Sequence, residues 1–346
     1  MVLYPLLFEP ILHQVVWGGH RLRPYKGLMP SDEPIGESWE VSAVPSSISI
    51  ISNGRWAGRD LVSVIEENPS EILGRAVFSK YGAHLPLLVK FIDAERDLSI
   101  QVHPNDAMAR RLHGKSGKSE MWYVIKADEG SFLYAGFKQP LTAGEYQQRV
   151  ADGSITEVLA KHMVRPGDVF YLPAGRVHAI CGGILLAEVQ QSSDVTYRIF
   201  DYNRPGLDGK PRELHTALAA EALDFHVEQR YQTVYTPYVN RATQIVDTPF
   251  FDVRIMEITE PFHRNLLKYD SFIISMCIDG ECKIRIRGTG GEILLRQGHS
   301  TLIPAAIADY DILPISPAVR LLDAFIDNMD RTLSGSITRF LHLTVE

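Results

Sequence analysis

The chain has 346 residues, 45% hydrophobic and 22% charged, with a formal net charge of −7. This is ordinary globular composition, enough for one large or two modest domains. No Lys/Arg-rich block marks a nucleic-acid footprint, and no run of about 18 apolar residues marks a membrane span. Of the three cysteines (Cys181, Cys277 and Cys282), none falls in a Cys-x-x-Cys pair. An odd count argues against a disulfide framework, so they read as small buried hydrophobes in a reducing compartment. The apolar N-terminus has no basic leader and is broken by Pro5, Glu9 and Pro10. No signal peptide is expected, and the expected location is cytoplasmic.

Residues 1–57 read as short extended pieces with turns at Trp17-Gly18-Gly19, Pro30-Ser31-Asp32 and Asn53-Gly54. Within them, residues 35–42 alternate. Residues 58–80 have helical spacing through Leu61, Val64, Ile65, Ile72, Leu73 and Val77, with Pro69 opening a second element behind Asn68. A buried strand is expected over 85–91. Next comes a segment in which Ser99, Gln101 and His103 share one strand face, backed by Leu98, Ile100 and Val102. A short helix over 105–112 leads to a second such strand, with Lys118, Glu120 and Trp122 on one face and Met121, Tyr123 and Ile125 behind. The pattern predicts a polar cavity wall with a core at its back.

Residues 142–163 look like two helices split at Asp152-Gly153. A turn–strand–turn–strand follows over 165–178, then strands over 185–191 and 195–200, and a helix over 211–224 with Pro211 at its mouth. Residues 226–248 lack a clear period and read as a link. After it, strands return over 251–258, 271–278, 281–287, 292–295, 300–303, 309–312 and 319–325. The expected division is a catalytic domain over 1–226, carrying helical insertions at about 58–80, 105–112 and 142–163. A linker over 227–248 and a degenerate C-terminal domain over 249–346 complete it.

An internal repeat supports two β units. Residues 164–175 (VRPGDVFYLPAG) align with 295–306 (LRQGHSTLIPAA), and in that register His178 falls opposite Asp309. A Gly-x-x-x-x-x-Pro-x-x-x-x-His pattern resembles the second motif of the cupin barrel. The expected fold is therefore mainly β with inserted helices and a small helical part: two cupin-like jelly-roll barrels, the first catalytic, the second without its ligand position.

Gln101, His103, Glu120 and His178 form a candidate metal site. Two imidazoles, a carboxylate and an amide oxygen suit a borderline divalent ion such as zinc, with room for water or substrate. Any one of these residues alone is more simply a satisfied strand residue; the set, each member in a motif-like context, favours a metal. Arg198 alternates with Thr196 and Phe200, so it is either a surface stem or a cavity residue. Lys118 shares a face with Glu120, where it either pairs with that carboxylate or recruits a phosphate or hydroxyl. The other histidines lack a paired context.

These residues resemble a family. Leu98–Asp106 (LSIQVHPND), Lys118–Tyr123 (KSEMWY) and Pro173–Ala179 (PAGRVHA) are similar to motifs of type I mannose-6-phosphate isomerase (phosphomannose isomerase), in its shorter bacterial branch. Trp17-Gly18-Gly19, Gly36–Glu40 and Tyr197–Tyr202 fit as well. The resemblance is strong over about 4–225 and weak beyond. It implies a zinc enzyme, one ion per chain, interconverting D-mannose 6-phosphate and D-fructose 6-phosphate through a cis-enediol. Gln101, His103, Glu120 and His178 would be the zinc ligands, Arg198 the catalytic arginine, and Ser99 and Lys118 substrate contacts. It leaves the general base open among zinc-bound hydroxide, Glu37, Glu40, Lys118 and the neighbours of His178, with a phosphosugar as the only partner expected and the oligomeric state unspecified. Two other classes remain at this stage: a metal-dependent cupin oxygenase or decarboxylase, since two His and a carboxylate also suit iron(II), and a non-catalytic sugar-binding cupin.

Overall fold

The computed structural model describes residues 3–307 and 309–327. Its strands form two sandwiches with the same internal order. In the first, a seven-stranded antiparallel sheet runs Gln232–Thr233, Val169–Leu172, Glu120–Ala127, Ile184–Gln191, Leu87–Ala94, Glu37–Val41, Ile11–His13. It faces a five-stranded sheet ordered Leu159–Met163, Phe132–Phe137, His178–Ile180, Ile100–Val102, Tyr197–Phe200. In the second, a six-stranded sheet (Leu6–Leu7, Ser300–Ile303, Ile273–Asp279, Val319–Phe325, Asp252–Ile258, Thr243–Asp247) accompanies a four-stranded one (Phe262–Asn265, Asp309–Pro314, Glu281–Ile286, Glu292–Arg296).

The repeat seen in the sequence thus extends to strand order and to register. His178 pairs across its ladder with Gln101, and Asp309 pairs with Asn265 at the matching place in the second half. The fold is the mainly β, jelly-roll cupin arrangement expected.

Burial explains the composition of the long strands. Leu87–Ala94 and Ile184–Gln191 are buried at every position. One face (Val89, Phe91, Ala187, Val189) belongs to a core shared with Val253, Ile274, Leu302 and Leu322 of the second half and with Val64, Ile65, Ile72 and Val77 of the helical segment. The other face looks into the first sandwich. A sheet covered on both sides reads as a continuous apolar run instead of an alternation.

Two elements differ from expectation. Residues 142–163 hold one helix, Ala143–Ala151, closed by a Thr142–Glu145 capping box, then a 3-10 turn Ile155–Val158 and a strand Leu159–Met163. The last piece extends because an edge partner, Phe132–Phe137, is available to it, and pairing outweighs a weak helical pattern. The helix expected over 211–224 begins only at Thr216, because Pro211 is held in a bridge with Pro205. The segment Leu6–Leu7, at the other end of the chain, pairs with Ser300–Ile303 of the second half. Among the described residues no helix is long and apolar enough to cross a membrane.

Candidate metal centre

The strand Ile100–Val102 lies inside the smaller sheet, with His178 and Arg198 as the cross-strand neighbours of Gln101 on its two sides. The chain then turns into the helix Asp106–His113. Asn105 caps this helix by accepting from Met108 N at 2.9 Å, and Gly114 ends it in a left-handed conformation. The return passes Gly117, where a Cβ would lie 2.5 Å from Asp106 N, so only glycine fits this close approach. Glu120 then opens the neighbouring sheet's strand. The short helix therefore sets Glu120 against His103, and the turn before His178 is tied to the same place by Gly175 N donating to His103 O at 2.9 Å.

His103, Glu120 and His178 come together with ligand atoms within 4.8 Å of one another, and all three are buried. His178 Nε2 is 3.2 Å from Glu120 Oε1, and His103 Nε2 is 3.3 Å from Oε2. Each imidazole is oriented from behind. His103 Nδ1 donates to Val195 O at 3.0 Å and His178 Nδ1 to Arg176 O at 2.8 Å, which leaves both Nε2 lone pairs directed at the carboxylate. Both Glu120 oxygens are completely buried, and their close polar contacts are the two imidazoles and, at 3.0 Å, the Lys118 ammonium.

Burial and then the Lys118 charge lower the His103 pKa to about 3; burial also lowers that of His178. Against the upward push of burial, Lys118 and the two histidines hold Glu120 well below the usual carboxylate range. The donors are thus neutral imidazoles and an ionised carboxylate, the protonation states a divalent cation requires. Gln101 Nε2 stands 3.3 Å from His178 Nε2. The two ends of an amide are isosteric, so a half-turn offers its oxygen at the same point. The Lys118 ammonium, 3.0 Å from Glu120 Oε2 and 3.2 Å from His103 Nε2, already marks the position as one that attracts positive charge. The donor set fits a metal ion.

Above the cluster lies a cavity of about 350 Å³, lined among others by Ser99, Gln101, Lys118, Arg198, Glu37 and Trp39. All the polar residues assigned to the site by sequence except the three buried ligands therefore reach this one space. The volume is in the range of small-molecule sites.

The cavity also holds a layer that was not anticipated. Lys90 Nζ bridges Glu188 Oε1 at 3.0 Å and Glu37 Oε2 at 3.4 Å. Trp122 Nε1 donates to Glu188 at 2.8 Å and Trp39 Nε1 to Glu37 at 2.6 Å. The two carboxylates are pushed apart. Burial and the Glu120 charge raise the pKa of Glu188, whereas Lys90 and the Trp39 hydrogen bond more than offset burial at Glu37 and lower it. The signal for this layer was present in the sequence as Lys90 and Glu188, each flanked by apolar residues inside a long strand. Lys90 and Glu188 turn out to be cross-strand partners. Glu40, considered as a base, does not line the cavity; it is buried against Lys26 at 2.6 Å.

At the mouth, Arg198 is half-buried, donates through Nη1 to Glu213 O at 2.9 Å, and leaves its buried Nε without a hydrogen bond. Asp201 serves Arg204 and Arg212 instead, at 2.9 and 2.5 Å. Three guanidinium groups around one carboxylate leave a net positive rim suited to an anion.

Residues 6–130 match the family model for phosphomannose isomerase type I, catalytic domain. Over 317 residues the chain is 34% identical to a probable mannose-6-phosphate isomerase of Bacillus subtilis, covering 89% of this chain and 96% of that protein. Over 307 residues it is 33% identical to a mannose-6-phosphate isomerase of Streptococcus mutans, covering 88% and 94%. Its fold is similar to the crystal structure of the mannose 6-phosphate isomerase from Bacillus subtilis, with a TM-score of 0.83 at 30% identity over 93% of this chain and 99% of the other.

Proposed function

The chain belongs to the type I phosphomannose isomerase family, and from that premise we propose that it interconverts D-mannose 6-phosphate and D-fructose 6-phosphate through a cis-enediol, with one zinc ion held by Gln101, His103, Glu120 and His178. The observation that carries the proposal is the Glu120 carboxylate: ionised, fully buried, and flanked by two oriented imidazoles and an ammonium beneath a cavity with a cationic rim. A divalent ion bound there supplies electrostatic stabilisation of the negative charge that develops on the sugar's O1 and O2.

The remaining roles fall to the chain's own side chains. The reaction moves a proton from C2 to C1 of the open-chain sugar, so it needs a group that takes up and returns one proton. Glu188, whose proton affinity is raised by burial, is suited to it. Glu37 stays ionised and, with Glu188, holds Lys90 in place. Arg198, directly across from Gln101 and on the cavity wall, is suited to stabilise the enediolate. Arg212 at the rim takes the phosphate. Ser99 and Lys118, both on the cavity wall, contact the sugar hydroxyls. A cytoplasmic setting is supported by three free, buried cysteines.

The test is conversion of C2-deuterated mannose 6-phosphate by the purified protein, with and without chelator, and with zinc restored. Deuterium exchange at C2 and formation of fructose 6-phosphate are expected only with metal. No conversion in the zinc-restored protein sinks the proposal.

A further inference from the structure

The second copy of the repeated turn, Arg296-Gln297-Gly298-His299, has no part in the site, yet it is not idle surface. Gly298 lies against the chain at Tyr25–Lys26; a Cβ there would stand 2.9 Å from Lys26 Cγ. Gln297 Nε2 donates to Tyr25 O at 3.1 Å, and Tyr25 OH donates to Ile278 O at 2.7 Å. The Lys26 ammonium, fully buried, donates to Gly298 O and to Glu40 Oε1, the latter at 2.6 Å, and lies 5.4 Å from the centre of the Phe91 ring. Ser38 Oγ donates to the same Glu40 oxygen at 2.5 Å.

Glu40 occupies a particular place in its strand. Trp39 pairs with Lys90 and Val41 with Val89, so Glu40 is the extra residue of a β-bulge. A bulge re-aims the side chains next to it. Here Trp39 adjoins the bulge and Glu37 lies two residues before Trp39 on the same face, both on the cavity wall and both tied to Lys90. Ser38 and Glu40 face the other way, towards the second half of the molecule.

We propose that Lys26 and Glu40 are positioning residues, through which the turn at Gly298 in the second sandwich pins the bulge and thereby sets the Glu37–Trp39 wall of the cavity in the first. The second sandwich then acts on substrate fit through one buried ion pair. The effect on kinetics rests on the isomerase reading above; the effect on the strand does not.

The experiment compares wild type with the single variant Lys26→Met and the paired variant Lys26→Met/Glu40→Gln. The pair avoids leaving a lone buried charge, and neutral replacement of a whole buried pair is often tolerated. Hydrogen–deuterium exchange over residues 37–41 is expected to be at least about tenfold faster in the folded paired variant, as a loosened bulge opens more often. KM for mannose 6-phosphate is expected to rise roughly fivefold with kcat changed less than about threefold, the pattern of a loosened binding wall. In a Trp39→Ala background the same pair is expected to leave KM unaltered, because the wall it sets is gone. Wild-type exchange over 37–41 in the folded paired variant overturns the proposal, whatever the substrate proves to be. So does a KM effect that is additive with Trp39→Ala. Failure of wild type to isomerise mannose 6-phosphate would instead count against the isomerase reading, leaving the exchange measurement to decide the inference.

Discussion

Arg198 stands directly across the antiparallel ladder from Gln101, whose other neighbour is His178. One row across the smaller sheet therefore carries an imidazole, an amide and a guanidinium in succession. Rows of this kind are set by register, and a slip of one residue in any of these strands would turn its member of the row to the opposite face of the sheet.

The first consequence concerns Arg198 itself. Its replacement by Ala is expected to lower kcat by about 10²–10³-fold, as for loss of a group aimed at developing negative charge. Replacement by Lys is expected to recover little, because an ammonium cannot reproduce the planar fork. Only one of its hydrogen bonds reaches a backbone carbonyl, so urea unfolding is expected to shift by about 1 kcal/mol or less. A loss of activity that tracks loss of folded protein would contradict this.

Glu120→Gln keeps the shape of the side chain and removes its charge. Metal content after dialysis is expected to fall below about a tenth of an ion per chain, since an ionised donor is needed to offset the cation. Turnover should fall with it. Elemental analysis alongside the coupled assay checks both, and a metal-replete variant would remove Glu120 from the ligand set.

Lys90 and Glu188 are a buried ion pair with a cross-strand partnership. Lys90→Met leaves Glu188 and Glu37 without their shared cation and is expected to cost about 3–5 kcal/mol in urea unfolding. The paired change Lys90→Met/Glu188→Gln should cost clearly less, because no lone charge remains buried. Equal losses for the single and paired variants would show that the ion pair is not what matters there.

The same lysine fixes the direction of a pH effect. As the proposed base, Glu188 must be deprotonated to take the C2 proton, so kcat/KM is expected to rise with pH through a limb above the ordinary glutamate pKa, because burial raises it. Lys90 opposes that rise. In Lys90→Met the limb is therefore expected to move to still higher pH, while the same variant with wild-type pH dependence would exclude Glu188 as the base. For stability the sign is reversed from that of a salt-bridged carboxylate. A raised pKa means the folded state binds this proton more tightly, so Glu188 weakens the fold as pH rises from its unfolded pKa through its folded one.

Much of the site was legible because its residues lie on strand faces of period two, next to turns with clear punctuation. Ser99, Gln101 and His103, then Lys118 and Glu120, follow from alternation. The turn before His178 is marked by Pro173 and Gly175, and the repeat at 296–306 placed Asp309 opposite His178. What was not legible depends on partners far apart in sequence. Nothing local pairs Lys90 with Glu188 or seats Glu40 on Lys26 instead of in the cavity. Residues 159–163 extend because a neighbouring strand offers a ladder, and Pro211 fails to start a helix because it is held across from Pro205. Each of these is decided by tertiary contact overriding local preference.

The pairing of Leu6–Leu7 with Ser300–Ile303 bears on how the chain reaches this state. During synthesis at roughly 5–20 residues per second, the first strand must wait on the order of 15–60 s for its partner to be made. Meanwhile Leu6, fully buried in the finished protein, is without its ladder. This sheet thus cannot close until residues 300–303 are made, and an apolar segment is open to wrong partners throughout that interval. A chain built in this way is expected to fold late and to be most vulnerable to aggregation until residues 300–303 emerge.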